Sequence, residues 1–133
     1  MATYDLTKGG AVGYPAVKKG GTFRIAATVD FNENNYVATD VLKLINVPAM
    51  TVVENVSYEV QTAEGAILTF DIGDNALVTA YITAADGNAL GWDANVTPAK
   101  EAAVESINLR INNNAAAAKI TVVAFLRDCS SAA

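Results

Sequence analysis

The side chains that could perform chemistry in this sequence are carboxylates and a single thiol, because the chain contains no histidine. Without an imidazole, Ser-His-Asp and Cys-His catalysis and the HExxH type of zinc site are excluded. The thiol belongs to Cys129, and its basic neighbour Arg127 lies close to the end of the sequence. A reactive thiolate needs a fixed basic environment, so we expect Cys129 to be an incidental free thiol.

The carboxylates that could act as general acids or bases lie at predicted strand ends. Asp71 and Asp74 flank Gly73, and Asp40 follows an asparagine-rich loop. Carboxylates in such positions are usually solvated turn residues. The glycines of residues 9–13 lack the preceding strand and the Lys-Ser/Thr pair of a phosphate-binding loop. We therefore predict that the protein is not an enzyme and that it has no catalytic residues and no cofactor.

One polar loop partly matches the pattern of a calcium site. Asp30, Asn32 and Asn34 match the first, third and fifth positions of an EF-hand loop, but Asn35 and Val41 stand where the glycine and the bidentate glutamate belong. The loop is therefore not an EF-hand, and we predict no metal ligands. A looser cation site around Asp30 stays open beside the simpler interpretation as a polar loop.

Charge is unevenly divided along the chain. The 133 residues have a formal net charge of −5, which argues against nucleic-acid binding through phosphate neutralisation. Residues 1–24 contain four basic groups against Asp5, a balance of +3, whereas the remainder contains five basic and thirteen acidic groups, a balance of −8. The segment is either a solvated arm or a basic arm that docks on an acidic partner, such as another copy of the chain.

The chain divides into an arm, one domain and a short tail. Residues 1–21 contain glycine pairs and a Tyr-Pro step that favour an extended arm, residues 22–129 contain the strands, and residues 130–133 form a flexible tail. No apolar run approaches the roughly 18 residues needed to cross a bilayer, so we predict no membrane contact. The first residues also lack the basic and apolar regions of a secretory signal.

Short β-patterns separated by turns predict an all-β fold. Strands are expected over 22–29, 40–47, 56–61, 68–72, 76–83, 107–111 and 120–126, with a weaker one over 89–96 in which Trp92 is the large anchor. The 40–47 pattern changes phase after Leu44, which indicates a bulge or a strand buried on both faces. We expect 56–61 to form a hairpin with 68–72, and 107–111 to form one with 120–126. Residues 97–104 could instead begin a short helix. About seven or eight short strands predict an antiparallel β-sandwich or jelly roll.

Three stretches resemble a family of small structural proteins from tailed bacteriophages. They are residues 40–49 (DVLKLINVPA), residues 56–65 (VSYEVQTAEG) and residues 68–74 (LTFDIGD). The resemblance implies a capsid decoration, or cement, protein: a β-sandwich that binds the outer surface of the shell as an oligomer, with a trimer favoured. It implies two partners, the major capsid protein and neighbouring copies of the chain, and a place in the virion after synthesis in the host cytoplasm.

The arm supplies the interface residues of this hypothesis. Tyr4, Tyr14, Lys18 and Lys19 are expected to contact a neighbouring subunit or the shell. Exposed aromatic side chains favour protein interfaces, and the lysines suit an acidic partner surface. A head fibre, tail or adaptor component is the alternative within viral structure. A carbohydrate-binding β-sandwich module is the alternative from another class, although such modules usually present a row of aromatic residues.

Overall fold

The computed structural model describes residues 2–6, 22–47, 51–95, 99–101 and 105–128. These residues form strands, turns and loops, and they contain no helix. In chain order the ten strands are β1 (Thr3–Asp5), β2 (Thr22–Asp30), β3 (Val41–Val47), β4 (Thr51–Thr62), β5 (Thr69–Gly73), β6 (Ile82–Asp86), β7 (Gly91–Asn95), β8 (Ala99–Glu101), β9 (Glu105–Ile111) and β10 (Lys119–Asp128).

The strands form two five-stranded sheets. The first sheet has the order β1-β3-β9-β5-β6, and the second has the order β2-β10-β4-β7, with β8 also paired to β4. Pairing among the described strands is antiparallel except where β1 runs parallel to β3. The predicted antiparallel β-sandwich is therefore confirmed. It has ten strands instead of the expected seven or eight, and the three-residue strands β1 and β8 are the additional ones.

The core lies between the two sheets and is filled by alternating side chains. Leu42, Leu109 and Ile72 are cross-strand neighbours on the inner side of the first sheet, and all three are fully buried. In the second sheet β10 alternates the buried Ile120 and Val122 with the half-buried Thr121. This period of two directs every second side chain into the core. Connections contribute buried side chains as well, among them Phe31, Tyr36, Leu68, Ala115 and Ala118.

The outer side of the first sheet is polar and is covered by the chain itself. Residues 74–81 fold over it, and the Asn75 Oδ1 accepts a 2.9 Å hydrogen bond from the Asn108 Nδ2. The hydroxyl of Ser106 lies 2.7 Å from the Asn108 Oδ1, and both residues are buried. Gly73 lies beneath the same loop, where an added Cβ would stand 2.1 Å from the backbone oxygen of Leu77.

Both predicted hairpins are wrong. β4 lies in the second sheet and β5 in the first, and β9 and β10 are likewise in opposite sheets. Residues 63–68 and 112–118 therefore cross between the sheets instead of turning within one. Alternation along a strand shows that one face is buried, but it carries no information about which sheet the strand joins.

The expected strand over 76–83 is also wrong for most of its length. The Asp74 Oδ1 accepts hydrogen bonds from the backbone N–H groups of Ala76 and Leu77, at 3.0 and 2.8 Å. These bonds hold a turn, because a short Asp side chain competes with strand pairing for backbone donors. The next strand, β6, begins only at Ile82.

Two ambiguous segments are resolved. The register of β3 against β9 shifts between Lys43 and Ile45, which confirms the predicted bulge. Residues 99–101 form β8 against β4 instead of a helix. The arm beyond Leu6, the tail 130–133 and Cys129 lie outside the described residues, so these boundaries stay predictions.

The contact between Gly73 and the 74–81 loop yields a stability prediction. Replacing Gly73 by Ala should lower the free energy of unfolding by about 2–3 kcal/mol, because the added methyl must displace backbone atoms of Leu77 and Val78. Gly91→Ala is the matched control, since an added Cβ there meets nothing within 4 Å. Denaturant unfolding measures both. Equal stability of the two variants would show that the loop does not press on Gly73.

Candidate interaction surface

The carboxylates considered for acid–base chemistry hold the fold together. Asp71 is buried, and its Oδ2 lies 2.7 Å from the Arg110 Nη2. Its Oδ1 accepts a 2.7 Å hydrogen bond from the backbone N–H of Ala84, a residue with a φ of 52°. Both oxygens are therefore engaged, and the charge of Asp71 is neutralised by Arg110.

Asp40 is engaged by backbone donors in the same way. It is buried, and its two oxygens accept hydrogen bonds from the N–H groups of Ala2 and Val37, each at 3.0 Å. The bond from Ala2 fastens the beginning of β1 beside β3, and the bond from Val37 holds the loop that precedes β3. Asp74 caps its turn, as described above. The three carboxylates thus bind three different segments and are not gathered at one reaction centre.

Glu64 is a structural residue that the sequence patterns did not reveal. Its Oε1 accepts hydrogen bonds from the backbone N–H groups of Ala116, Ala117 and Ala118, at 2.9 to 3.2 Å. It thereby joins the β4–β5 and β9–β10 connections. The adjacent Gly65 N–H donates to the Asn88 Oδ1 at 2.7 Å, which adds the β6–β7 connection. We call these three connections together with residues 31–40 the loop end of the sandwich.

The loop around Asp30 shows no gathered metal ligands. The Asp30 Oδ1 accepts a 3.0 Å hydrogen bond from the backbone N–H of Asn32. Within the described ranges there is no group of three or more Asp, Glu, Cys or His side chains that could hold a metal ion. Phe31 is fully buried within this otherwise polar loop, so the loop is anchored to the core.

Two tyrosines have perturbed titration behaviour, and both lie against the core. Burial raises the pKa of Tyr36, and the charges of Tyr4 and Asp40 raise it further. Burial also raises the pKa of Tyr58, with smaller contributions from Asp93 and Asp86. A raised pKa keeps the neutral phenol in the folded state, so neither tyrosine is prepared to act as a base at neutral pH.

Of the four residues expected at an interface, the structure describes one, Tyr4. Tyr4 lies in β1 at the edge of the first sheet and is 40% exposed, with its ring 4.9 Å from that of Tyr36 in an edge-to-face contact. Tyr14, Lys18 and Lys19 lie outside the described residues. The interface assignment of these four residues therefore stays a prediction.

The second sheet presents an exposed outer side, in contrast to the covered first sheet. Its centre is a row of cross-strand neighbours in which Ala26, Val123, Ser57 and Ala94 follow one another across β2, β10, β4 and β7. A second row on the loop-end side runs Thr28, Thr121, Glu59, Trp92, and a third on the opposite side runs Arg24, Phe125, Asn55. We call these eleven residues the outer face.

Small and uncharged side chains dominate the outer face. Arg24, at one corner, and Glu59, between Thr121 and Trp92, are its two charged members. Thr28 and Thr121 satisfy each other through a 2.9 Å hydrogen bond between their hydroxyls. Phe125 is 41% exposed and Trp92 is 76% exposed. The arrangement offers a neutral, partly aromatic surface, which suits contact with another macromolecule better than chemistry on a small substrate.

Trp92 corrects one expectation from the sequence. It was expected to anchor a weak strand, yet it projects to solvent from β7. The signal that could have revealed this is the alternation of Trp92 and Ala94 with the polar Asp93 and Asn95, which leaves the inward positions poor in apolar residues.

Two antiparallel sheets packed face to face, with the chain crossing repeatedly between them, define a β-sandwich. No protein-family model and no curated protein sequence matches the chain. The described part of the chain contains no helix that is long and apolar enough to span a membrane.

Solved structures share this sandwich. A chain in the capsid of Ralstonia phage GP4 is 15% identical, with a TM-score of 0.72 over 97% of this chain and 99% of that one. A chain in the acid-stable capsid of Helicobacter pylori bacteriophage KHP30 is 16% identical, with a TM-score of 0.65 over 82% and 89%. A chain in the capsid of cyanophage Pam1 is 17% identical, with a TM-score of 0.63 over 87% and 91%. At the level of fold, the resemblance to small proteins of phage capsids is confirmed.

The role of Glu64 yields a second stability prediction. Glu64→Ala should lower the free energy of unfolding by about 2–3 kcal/mol, because it removes a charged acceptor shared by several backbone donors. Glu59→Ala is the control, since Glu59 is exposed and its Oε1 accepts a long 3.3 Å hydrogen bond from the Gln61 Nε2 of the same strand. Thermal and denaturant unfolding measure the difference. If the Glu64 variant were as stable as the Glu59 variant, the cross-link at the loop end would contribute nothing to stability.

Proposed function

We propose that this chain is a non-enzymatic structural protein of a phage particle, and that it binds the outside of the capsid and stabilises the shell. The observation that carries the proposal is the likeness to the Ralstonia phage GP4 capsid chain, which extends over nearly the whole of both chains. The two chains are therefore almost equal in length. A chain of this size that is a component of a capsid fits an accessory protein added to the shell.

The chemistry of the described residues supports the same proposal. Its buried carboxylates hold connections and strands in place, and its exposed sheet presents a neutral surface. A protein that reinforces a shell needs a rigid scaffold and more than one contact surface, so that it can bridge its neighbours. Its partners in this proposal are the major capsid protein and other copies of itself, arranged as a trimer.

The basic arm is the proposed contact between neighbouring copies or between a copy and the shell. Tyr4, Tyr14, Lys18 and Lys19 would make this contact. The charge balance supports it, because the segment 1–24 carries +3 and the remainder carries −8. Opposite charges on two partners steer their encounter and fix their relative orientation.

Copy number in the particle tests the proposed function. Quantitative mass spectrometry of purified virions should find this chain in an amount comparable with that of the major capsid protein. Such an amount follows from binding at repeated positions of the lattice. A small minority of copies would instead favour the fibre, tail or adaptor alternative, and absence from virions would refute the viral structural role.

Charge reversal tests the arm. The variant Lys18→Glu/Lys19→Glu should shift the protein to a smaller oligomer in size-exclusion chromatography with light scattering, or reduce its co-sedimentation with shells, because the arm would then repel an acidic partner. Asn34→Glu/Asn35→Glu is the control, since it adds negative charge at two exposed loop positions of the domain. Unchanged assembly and shell binding of the arm variant would show that these lysines are not at the interface.

A further inference from the structure

Exposed large apolar side chains of the described residues occur in four places. Tyr4 and Leu6 belong to β1, and Leu77 belongs to the loop that covers the first sheet. The remaining exposed residues are at the loop end and on the outer face: Val37, Ile67, Leu90, Trp92 and Phe125. The outer face differs from the other three places because its apolar members belong to one continuous sheet surface.

Continuity follows from the strand register. Val123 lies directly between Ala26 and Ser57, with Ala94 beyond Ser57, so these four side chains form an unbroken row across four strands. Directly opposed side chains on neighbouring strands have Cβ atoms about 5 Å apart. Because all four side chains are small, the centre of the face is flat. Trp92 and Phe125 stand beside this row, on opposite sides of it.

The charge of the face specifies the chemistry of its partner. The chain as a whole carries −5, yet Arg24 and Glu59 balance each other on the outer face. The charged residues just beyond it on the same side of the sheet balance as well, Lys119 and Arg127 against Asp30 and Glu54. A nucleic-acid backbone or a strongly basic protein would find no complementary charge here. The matching partner is a protein surface without net charge that offers apolar groups to Trp92 and Phe125. Trp92 is the kind of side chain that often dominates such contacts.

The area of the face distinguishes two possible protein partners, a second free copy of this chain and the capsid shell. Four strands spaced about 4.8 Å apart and five residues rising about 3.3 Å each give roughly 300 Å². A stable pair of proteins typically buries about 800 Å² on each partner, so this face alone is too small to hold two free copies together. The same area is sufficient for stable binding when copies that are joined to one another bind a repeating lattice, because linked binding events raise the overall affinity.

We propose that the outer face of the second sheet docks on a patch of the major capsid protein that has no net charge and is apolar opposite Trp92 and Phe125, while other parts of the chain hold the copies to one another. This inference rests on the proposed function and assigns the shell-binding side of the molecule. Because the face has no net charge, its contact with the shell persists at high salt.

Two variants of the outer face test the proposal. Ala26→Glu/Ala94→Glu places two charges in the central row at exposed positions without removing a packed side chain, and Trp92→Ser removes the aromatic anchor without adding charge. The matched control is Ile67→Glu/Leu90→Glu, which adds two charges at equally exposed positions of the loop end. Circular dichroism and thermal unfolding establish that each variant is folded.

Co-sedimentation with shells of the phage that encodes the chain, stripped of this protein, gives the readout. The double glutamate variant should lose about 100-fold or more in shell affinity, because each charge would be buried without a partner. Trp92→Ser should lose about tenfold. The loop-end control should bind as the unmodified protein does, and light scattering should show the same oligomer for all variants.

Other results would overturn the assignment in distinguishable ways. If the outer-face variants changed the oligomer, the face would join copies of the chain to one another. If they bound shells normally, or if only the loop-end variant lost binding, the shell would be contacted elsewhere. If the unmodified protein bound glycans on an array and the outer-face variants lost that binding, the exposed tryptophan would belong to a carbohydrate-binding site. If the unmodified protein failed to bind shells, the proposed function itself would be wrong.

Discussion

Repeated crossing of the chain between the two sheets is the constraint on which this structure depends. From β2 to β5 each strand lies in the sheet opposite to the one before it, and the same is true from β8 to β10. Strands adjacent in sequence are therefore seldom adjacent in a sheet, and each sheet is completed by distant pairing. The connections must then be held by specific polar contacts, which explains why Glu64, Asn88 and Asp40 bind backbone groups across such long separations.

Local patterns in the sequence revealed the strands but not their partners. Period-two alternation located β2, β5, β9 and β10 closely, and the phase change after Leu44 indicated the bulge in β3. The same alternation suggested two hairpins that do not exist, because it records burial of one face only. Asp74 is predicted to be a turn residue, yet the sequence pattern also predicts a strand that begins at residue 76. A capping side chain that engages two backbone donors outweighed that pattern.

The sequence alone provided still less information about which side chains are exposed on the outer face. A tryptophan in a strand is ordinarily part of a core, and the alternation around Trp92 is a weak signal beside that rule. The 76% exposure of Trp92 in β7, at the margin of the second sheet, shows that it points outward. The neutrality of the outer face likewise emerges from register, which brings together residues of four strands separated by up to about a hundred positions in the chain. Within the described part of the chain, the two sides of the sandwich are thus chemically different: residues 74–81 cover one, and the other is exposed.

The central position of β10 has a consequence for how the protein is made. β10 lies between β2 and β4 and pairs with both, yet it is the last of the ten strands to leave the ribosome. Until it arrives, β2 and β4 have no common neighbour, and their apolar inner side chains lack the strand that joins them. The second sheet can therefore complete its strand pairing only after all ten strands have been synthesised. Non-local pairing of this kind slows folding, and partly made chains with open strand edges are prone to aggregate.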